Sequence, residues 1–192
     1  MTKIYGVGTM IEINENQLNI ISERLHGIPK GAERAFAGAI NRALITYRSE
    51  SVKEIRRTYN INAGDIKNSS RTPIKRAVIS RLDGSVSFAG TVIPLIRFNA
   101  KAGRPVTVSV LKTTGAKRLK NAYFANLGHG SGIFERLTRE RDSSKQLFGP
   151  SAAQMAYNED VMDPAQEKAQ KTLVKRFDHE VSRILNGYGS GG

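Results

Sequence analysis

At 192 residues, with 39% hydrophobic side chains and 18 glycines, the chain has room for one domain with a proper core and sizeable loops, and too little for two full domains. The absence of cysteine excludes disulfides, thiol nucleophiles and thiolate metal sites, and no run of about 18 apolar residues is present to make a membrane-spanning helix. The net charge of +13 is unevenly placed: positions 34–120 hold 18 Lys/Arg against four Asp/Glu, an excess of +14, while the flanks are close to neutral.

The first residues, MTKIYGVGTMIEINENQ, lack the apolar core of a signal peptide, so a soluble protein made in the cytoplasm is expected. They read as an arm or short strand over 1–13. A helix then opens near Asn14 or Asn16, with Leu18, Ile21 and Leu25 on one face, and ends at His26-Gly27-Ile28-Pro29. A longer helix is predicted over about 30–59. Phe36, Ile40, Ala43 or Leu44, Tyr47, Ser51, Ile55 and Tyr59 recur at intervals of three or four along one stripe, and Arg42, Arg48, Lys53, Arg56 and Arg57 fall elsewhere. Its first half, GAERAFAGAINRAL, is dominated by small residues that let another backbone approach closely, so it is expected to be packed between elements.

Asn62 is placed to cap a short helix, AGDIKNSS, which Pro73 ends. Beyond it, KRAVISRLDGSVSFAGTVIPLIRF alternates apolar and polar positions around Asp83-Gly84 as a hairpin does, and PVTVSVLKT is another period-two strand. An antiparallel sheet of at least three strands is implied. NAKAGRP, between these strands, has no apolar pattern and reads as a basic loop that orders on a partner. Ala122 to Asn126 and Gly132 to Leu137 read as strands joined by a glycine-rich turn, with a further strand beginning at Gln146 to Phe148. The last helix is predicted from Pro164, at its first turn, to Leu185, with Ala165, Ala169, Leu173, Phe177, Val181 and Ile184 in register and Glu167 four residues before Lys171. The tail from 187 to 192, GYGSGG, is flexible by composition. The expected fold class is α+β: long N-terminal and C-terminal helices on an antiparallel sheet, with extended loops, in a single domain over 14–186.

Chemistry is tested next. GHGSG leads into IFERL, which reads as strand, whereas a phosphate-cradling loop should open a helix. His26, His129 and His179 are scattered, with no two at metal-ligand spacing. Glu135, Arg136, Arg139, Glu140, Arg141 and Asp142 alternate in sign over a turn, as solvated or inter-subunit ion pairs do. Neither a catalytic residue, a metal nor a cofactor is expected, and the chain does not read as an enzyme. No helix-turn-helix, zinc finger or aromatic stacking strand is evident. What remains is a sequence-blind basic surface, suited to phosphates or to an acidic face of a neighbouring protein.

The order of segments carries a resemblance. GAERAFAGAINRAL running into a basic helix, VKEIRRTYNINAGDIKNS, IPLIRF, GIFERL, LFGPSAAQM and an amphipathic C-terminal helix, together spanning 29–185, resemble the prophage minor tail protein Z family of tail completion proteins. The resemblance implies a structural virion protein, added late at the head-proximal end of a long tail or tail-like particle and assembled in the host cytoplasm. Its implied partners are itself, in a ring that is commonly six-fold, and the tail terminator or tail tube and the head-tail connector. Double-stranded DNA would pass through that ring; no membrane is involved. The residues nominated for the DNA lumen or for an acidic partner are Arg48, Lys53, Arg56, Arg57, Lys75 and Arg76. A subunit-interface arm over 99–120 would present Lys101, Arg104, Lys112, Lys117, Arg118 and Lys120. The alternative reading is a nonspecific DNA-binding protein of a mobile element.

Overall fold

The computed structural model describes residues 8–10, 19–20, 23–126, 130–138 and 143–187. The predicted arm and the first helix fall largely outside them, as do His129, Arg139, Glu140, Arg141, Asp142 and the tail beyond 187. The described residues form α-helices and short antiparallel strands, an α+β protein with a long helix toward each end. They group into two compact units, one built from 52–71 and 88–162 and rich in strands, the other from 7–51, 72–87 and 163–192 and mainly helical.

In the helical unit, α1 (Gly31–Thr58) contributes residues 31–51 and α4 (Glu159–Leu185) contributes 163–185. The stripe predicted on α1 is the buried one: Phe36, Ile40, Ala43, Leu44, Tyr47 and Ser51 are all within the core. The partner stripe on α4, from Ala165 through Leu173, Phe177 and Val181 to Ile184, is buried too. Phe36 meets Phe177 edge to face with ring centroids 4.9 Å apart, and Lys168 Nζ reaches Glu50 Oε2 at 2.9 Å, so the helices run antiparallel. The small residues allow this approach: a Cβ on Gly38 would lie 3.1 Å from Glu180 Cδ. Glu180 is itself buried, with Arg183 Nη2 2.7 Å from its Oε2; Oε2 accepts no hydrogen bond, so the pairing is one of charge. On the solvent side, the hydrogen bond and charge of the Lys171 ammonium hold the Glu167 carboxyl below its usual range.

The start of α4 differs from the sequence expectation. The helix begins at Glu159, and Pro164 lies inside it. Asn158 supplies the start, its Oδ1 accepting from Asp160 N at 3.0 Å while its carbonyl accepts from Val161 and Met162. Proline there removes the hydrogen bond to the Asp160 carbonyl and crowds it with its ring, a cost confined to the exposed first turns of the helix.

The same unit holds a small sheet in the order β1 (Gly8–Met10), β4 (Ser85–Ser87), β3 (Ile74–Lys75). Ile74 pairs with Val86 and Lys75 with Ser85, so a hairpin does enclose Asp83-Gly84. Its tight turn, however, is at Ile79-Ser80, closed by reciprocal bonds between Val78 and Arg81. Gly84 serves close approach instead, since a Cβ there would lie 2.6 Å from Leu44 Cδ1 and 3.0 Å from the Lys75 carbonyl.

The strand-rich unit begins at the end of α1, where Ile55 and Tyr59 are buried, and continues into α2 (Ala63–Ser69). Among the described residues, four small antiparallel sheets follow. β2 (Ser70–Arg71) pairs with β5 (Ala89–Gly90), and β6 (Val92–Pro94) with β13 (Phe148–Ser151). β7 (Ala100–Lys101), β8 (Val106–Val108) and β9 (Lys117–Leu119) form one sheet; β10 (Ala122–Asn126), β11 (Ser131–Arg136) and β12 (Ser144–Gln146) form another. The core beneath them gathers Ile66, Phe88, Ile93, Phe98, Val106, Val108, Ile133 and Met155.

The glycine-rich stretch therefore leads into a strand, as expected, and Gly132 is where β11 packs closely: a Cβ would stand 2.7 Å from Gln146 Nε2. The segment NAKAGRP, expected to be a loop, has β structure of its own, because Val106 and Val108 are buried and draw Ala100–Lys101 alongside.

LFGPSAAQM turns from β13 into α3 (Ala152–Ala156) through a capping box. Ser151 Oγ accepts from Gln154 N at 3.2 Å, and Gln154 Oε1 accepts from Ser151 N at 2.9 Å. Because Ser151 is buried, its alanine variant leaves an N–H that water does not reach. We expect Ser151→Ala to cost about 1 kcal/mol, read as a lower urea midpoint with unchanged slope.

Candidate nucleic-acid interface

The charge lies mainly with one unit. Residues 52–71 and 88–162 carry 16 Lys/Arg against 7 Asp/Glu, and the run between Asp83 and Glu135 has seven basic residues and no acidic one. Burial of Val106 and Val108 fixes the opposite face of β8 outward, and the register places Lys101, Thr107 and Arg118 side by side across the three strands. Arg104 stands in the exposed turn from β7 to β8, and Lys117 and Lys120 flank that row at β9.

Beside the beginning of β7 and just past the end of β8 is a polar cleft of about 400 Å³, lined by Arg56, Tyr59, Asn60, Ile61, Asn62, Arg97, Asn99 and Lys112. Each wall has an identifiable cause. The segment after β8 is bonded to the end of α1: Asn60 N donates to the Val110 carbonyl at 2.9 Å and Lys112 N to the Thr58 carbonyl at 3.0 Å. Asn60 Nδ2 donates to Ser109 Oγ and to the Ser109 carbonyl, at 2.9 and 3.1 Å, which fixes its amide. Tyr59 is held from the other side by Asn158 Nδ2, 2.9 Å from its hydroxyl.

The cations at the cleft are set by this frame. Lys112 Nζ donates to the Arg56 carbonyl at 2.6 Å, in the last turn of α1, where the helix dipole favours a positive charge. Two of its three donors remain for other acceptors. Arg97, in a 3-10 turn (Leu95–Arg97) after β6, lies 3.5 Å from Asp65 Oδ1 and keeps 58% of its side chain exposed. Asn62 stands at the N-cap of α2 without using its side chain as a cap, and Asn99 holds a positive φ of 43°. No carboxylate lines the cleft.

The nominated lumen residues are drawn from both units. Lys53, Arg56 and Arg57 belong to the strand-rich unit, at helical spacings of three and four, while Arg48, Lys75 and Arg76 belong to the helical unit. All six are exposed. Arg57 lies 3.7 Å from the buried Glu54, and Lys75 shares Asp83 with Arg81, at 3.5 and 2.7 Å, so their charge is partly compensated. Asn41 clasps both backbone groups of Ala77 at 2.9 Å and thereby orders the end of the Lys75-Arg76 segment. Of the nominated arm residues, only Lys112 reaches the cleft. Sequence reasoning missed Arg97. The acid-free run was the one available signal, since a lone arginine after an apolar strand has no spacing of its own.

Among the described residues no three His, Cys, Asp or Glu side chains converge as a metal site, and no helix is long and apolar enough to cross a membrane. His26 and His179 are exposed. Comparison with protein-family models, curated proteins and solved structures returned no match.

Proposed function

We propose that this chain is a structural protein of a phage tail or tail-like particle. More particularly, it is a tail completion protein, forming a homo-oligomeric ring at the head-proximal end of a long phage tail or tail-like particle. The observation that carries the reading is the concentration of cations in the strand-rich unit, with seven Lys/Arg and no Asp/Glu in the sequence between positions 83 and 135. A ring around a DNA channel needs a surface that attracts phosphates without reading bases, and exposed Lys/Arg on short strands and a helix end supply one. The segment order that resembles tail completion proteins supports the particular assignment. Exposed Val92, Leu137, Phe148 and Tyr157 in the same unit supply apolar area for a neighbouring copy to cover.

The test is cryo-electron microscopy of purified particles. A ring of this chain at the head-proximal end, with Arg56 and Arg57 toward the lumen, is the expected result. Absence of the chain from purified particles overturns the structural role; duplex binding by the isolated protein would then favour the nonspecific DNA-binding alternative.

A further inference from the structure

We propose that the cleft between Arg56, Arg97 and Lys112 is a seat for a single phosphodiester of a nucleic-acid backbone, and that the strand continues from it over Lys117 and the Lys101–Thr107–Arg118 row. The inference deepens the DNA-contacting part of the function proposed above and rests on it. Three cations converge on a cleft whose remaining lining is amides, a phenol and one aliphatic side chain, with no carboxylate. Two of the cations are guanidiniums, whose planar forks match the oxygens of a phosphate; the third is a point charge with donors left over. Asn62 offers an amide that no cap occupies. Asp65, at 3.5 Å from Arg97 and with only 18% of its side chain exposed, holds the guanidinium at the cleft as an internal counterion that an incoming phosphate must outbid.

The extent of the charge selects a polymer over a small anion. Asn99 immediately precedes β7, Lys112 lies in the segment from β8 to β9, and Lys117 opens β9 opposite Val108, so the cleft adjoins one end of the basic sheet. A ligand with one charge would use the cleft and leave that sheet idle; a backbone with repeated phosphates engages both.

Binding of a fluorescent mixed-sequence DNA duplex to the full chain, measured by anisotropy across a salt series, tests this. Each phosphate contact contributes about −0.9 to the slope of log K against log salt, so Arg97→Gln is expected to make the slope shallower by about 0.9 and to weaken binding about eightfold at 0.1 M salt. The loss should be equal for duplexes of different sequence. Lys175→Gln removes the same charge from an exposed position on α4 and is expected to leave the slope unchanged. Asp65→Asn is expected to tighten binding, a gain that misfolding does not produce, and circular dichroism checks each variant.

Equal losses in Arg97→Gln and Lys175→Gln, or no tightening in Asp65→Asn, overturn the seat. So does displacement of the duplex by millimolar inorganic phosphate, which would mark a small-anion site, or binding of poly-glutamate in preference to DNA, which would mark a protein-docking surface. These outcomes are separate from the particle test: a chain present in particles but lacking the seat, or the reverse, is distinguishable.

Discussion

Gly90→Ala is expected to cost about 3 kcal/mol, a fall in Tm on the order of 15 °C for a unit of this size. Gly90 pairs with Ser70 in the β2–β5 ladder, and a Cβ at Gly90 would lie 2.3 Å from the Ser69 carbonyl oxygen and 3.0 Å from Ser70 Cα. Both are backbone atoms, so no rotamer change relieves the overlap and one strand must move. The strand that moves is continuous with α2, whose first turn carries Asp65 and whose cap is Asn62. The variant is therefore expected to weaken duplex binding as well as stability, although Gly90 carries no charge. Gly64→Ala is the matched control, because a Cβ there meets nothing within 4 Å. It should leave Tm unchanged or slightly raised, since alanine is the better helix residue. A Gly90→Ala protein melting within a degree or two of the parent would mean that β2 and β5 are not paired in this register.

The helices were readable because they are long enough to repeat. The positions from Phe36 to Ile55 on α1, with Tyr59 just past its end, keep one phase through about six turns, and a stripe of that length marks a buried face. The strands are two to six residues long, so most never complete the alternation that identifies them. KNAYFAN and SGIFER, the longest pair, were placed almost to the residue; Ala100–Lys101, held only by its bond to β8, was not. Asp83-Gly84 and Pro164 misled for a common reason: residue types that favour a turn or a helix start stand here at a close approach, at Gly84, and inside α4, at Pro164. The cleft was half legible. Arg56 and Lys112 were nominated on charge, but 56 residues separate them in sequence, and only the hydrogen bonds from 109–112 back to the end of α1 bring them together. Long-range pairing of that kind leaves no local periodicity to read.

Phe177→Ala is expected to cost about 3–5 kcal/mol, a large effect for a single truncation in the helical unit. Phe177 is 3% exposed and stands edge to face against Phe36, so the variant loses buried area, leaves a cavity and removes a favourable ring pairing. The surroundings have little means of collapsing into that space. Ala35, Ala39 and Ala43 of α1 are all fully buried, and side chains that short have little reach to fill a gap. Phe36→Ala should cost a similar amount, and the double variant less than the sum by about 1 kcal/mol, since each single change already breaks the pair. Val174→Ala, on the same helix but 42% exposed, should shift stability by no more than about 0.5 kcal/mol. The loss reaches the basic segment through Asn41, which projects from α1 and bonds both backbone groups of Ala77. Hydrogen exchange in Phe177→Ala should accelerate at the Ala77 amide together with the amides of 31–51 and 163–185. Acceleration confined to α4 would instead show that the Asn41 clasp holds α1 and the Lys75-Arg76 segment in place without Phe177, and the large energetic cost would have to come from the cavity alone.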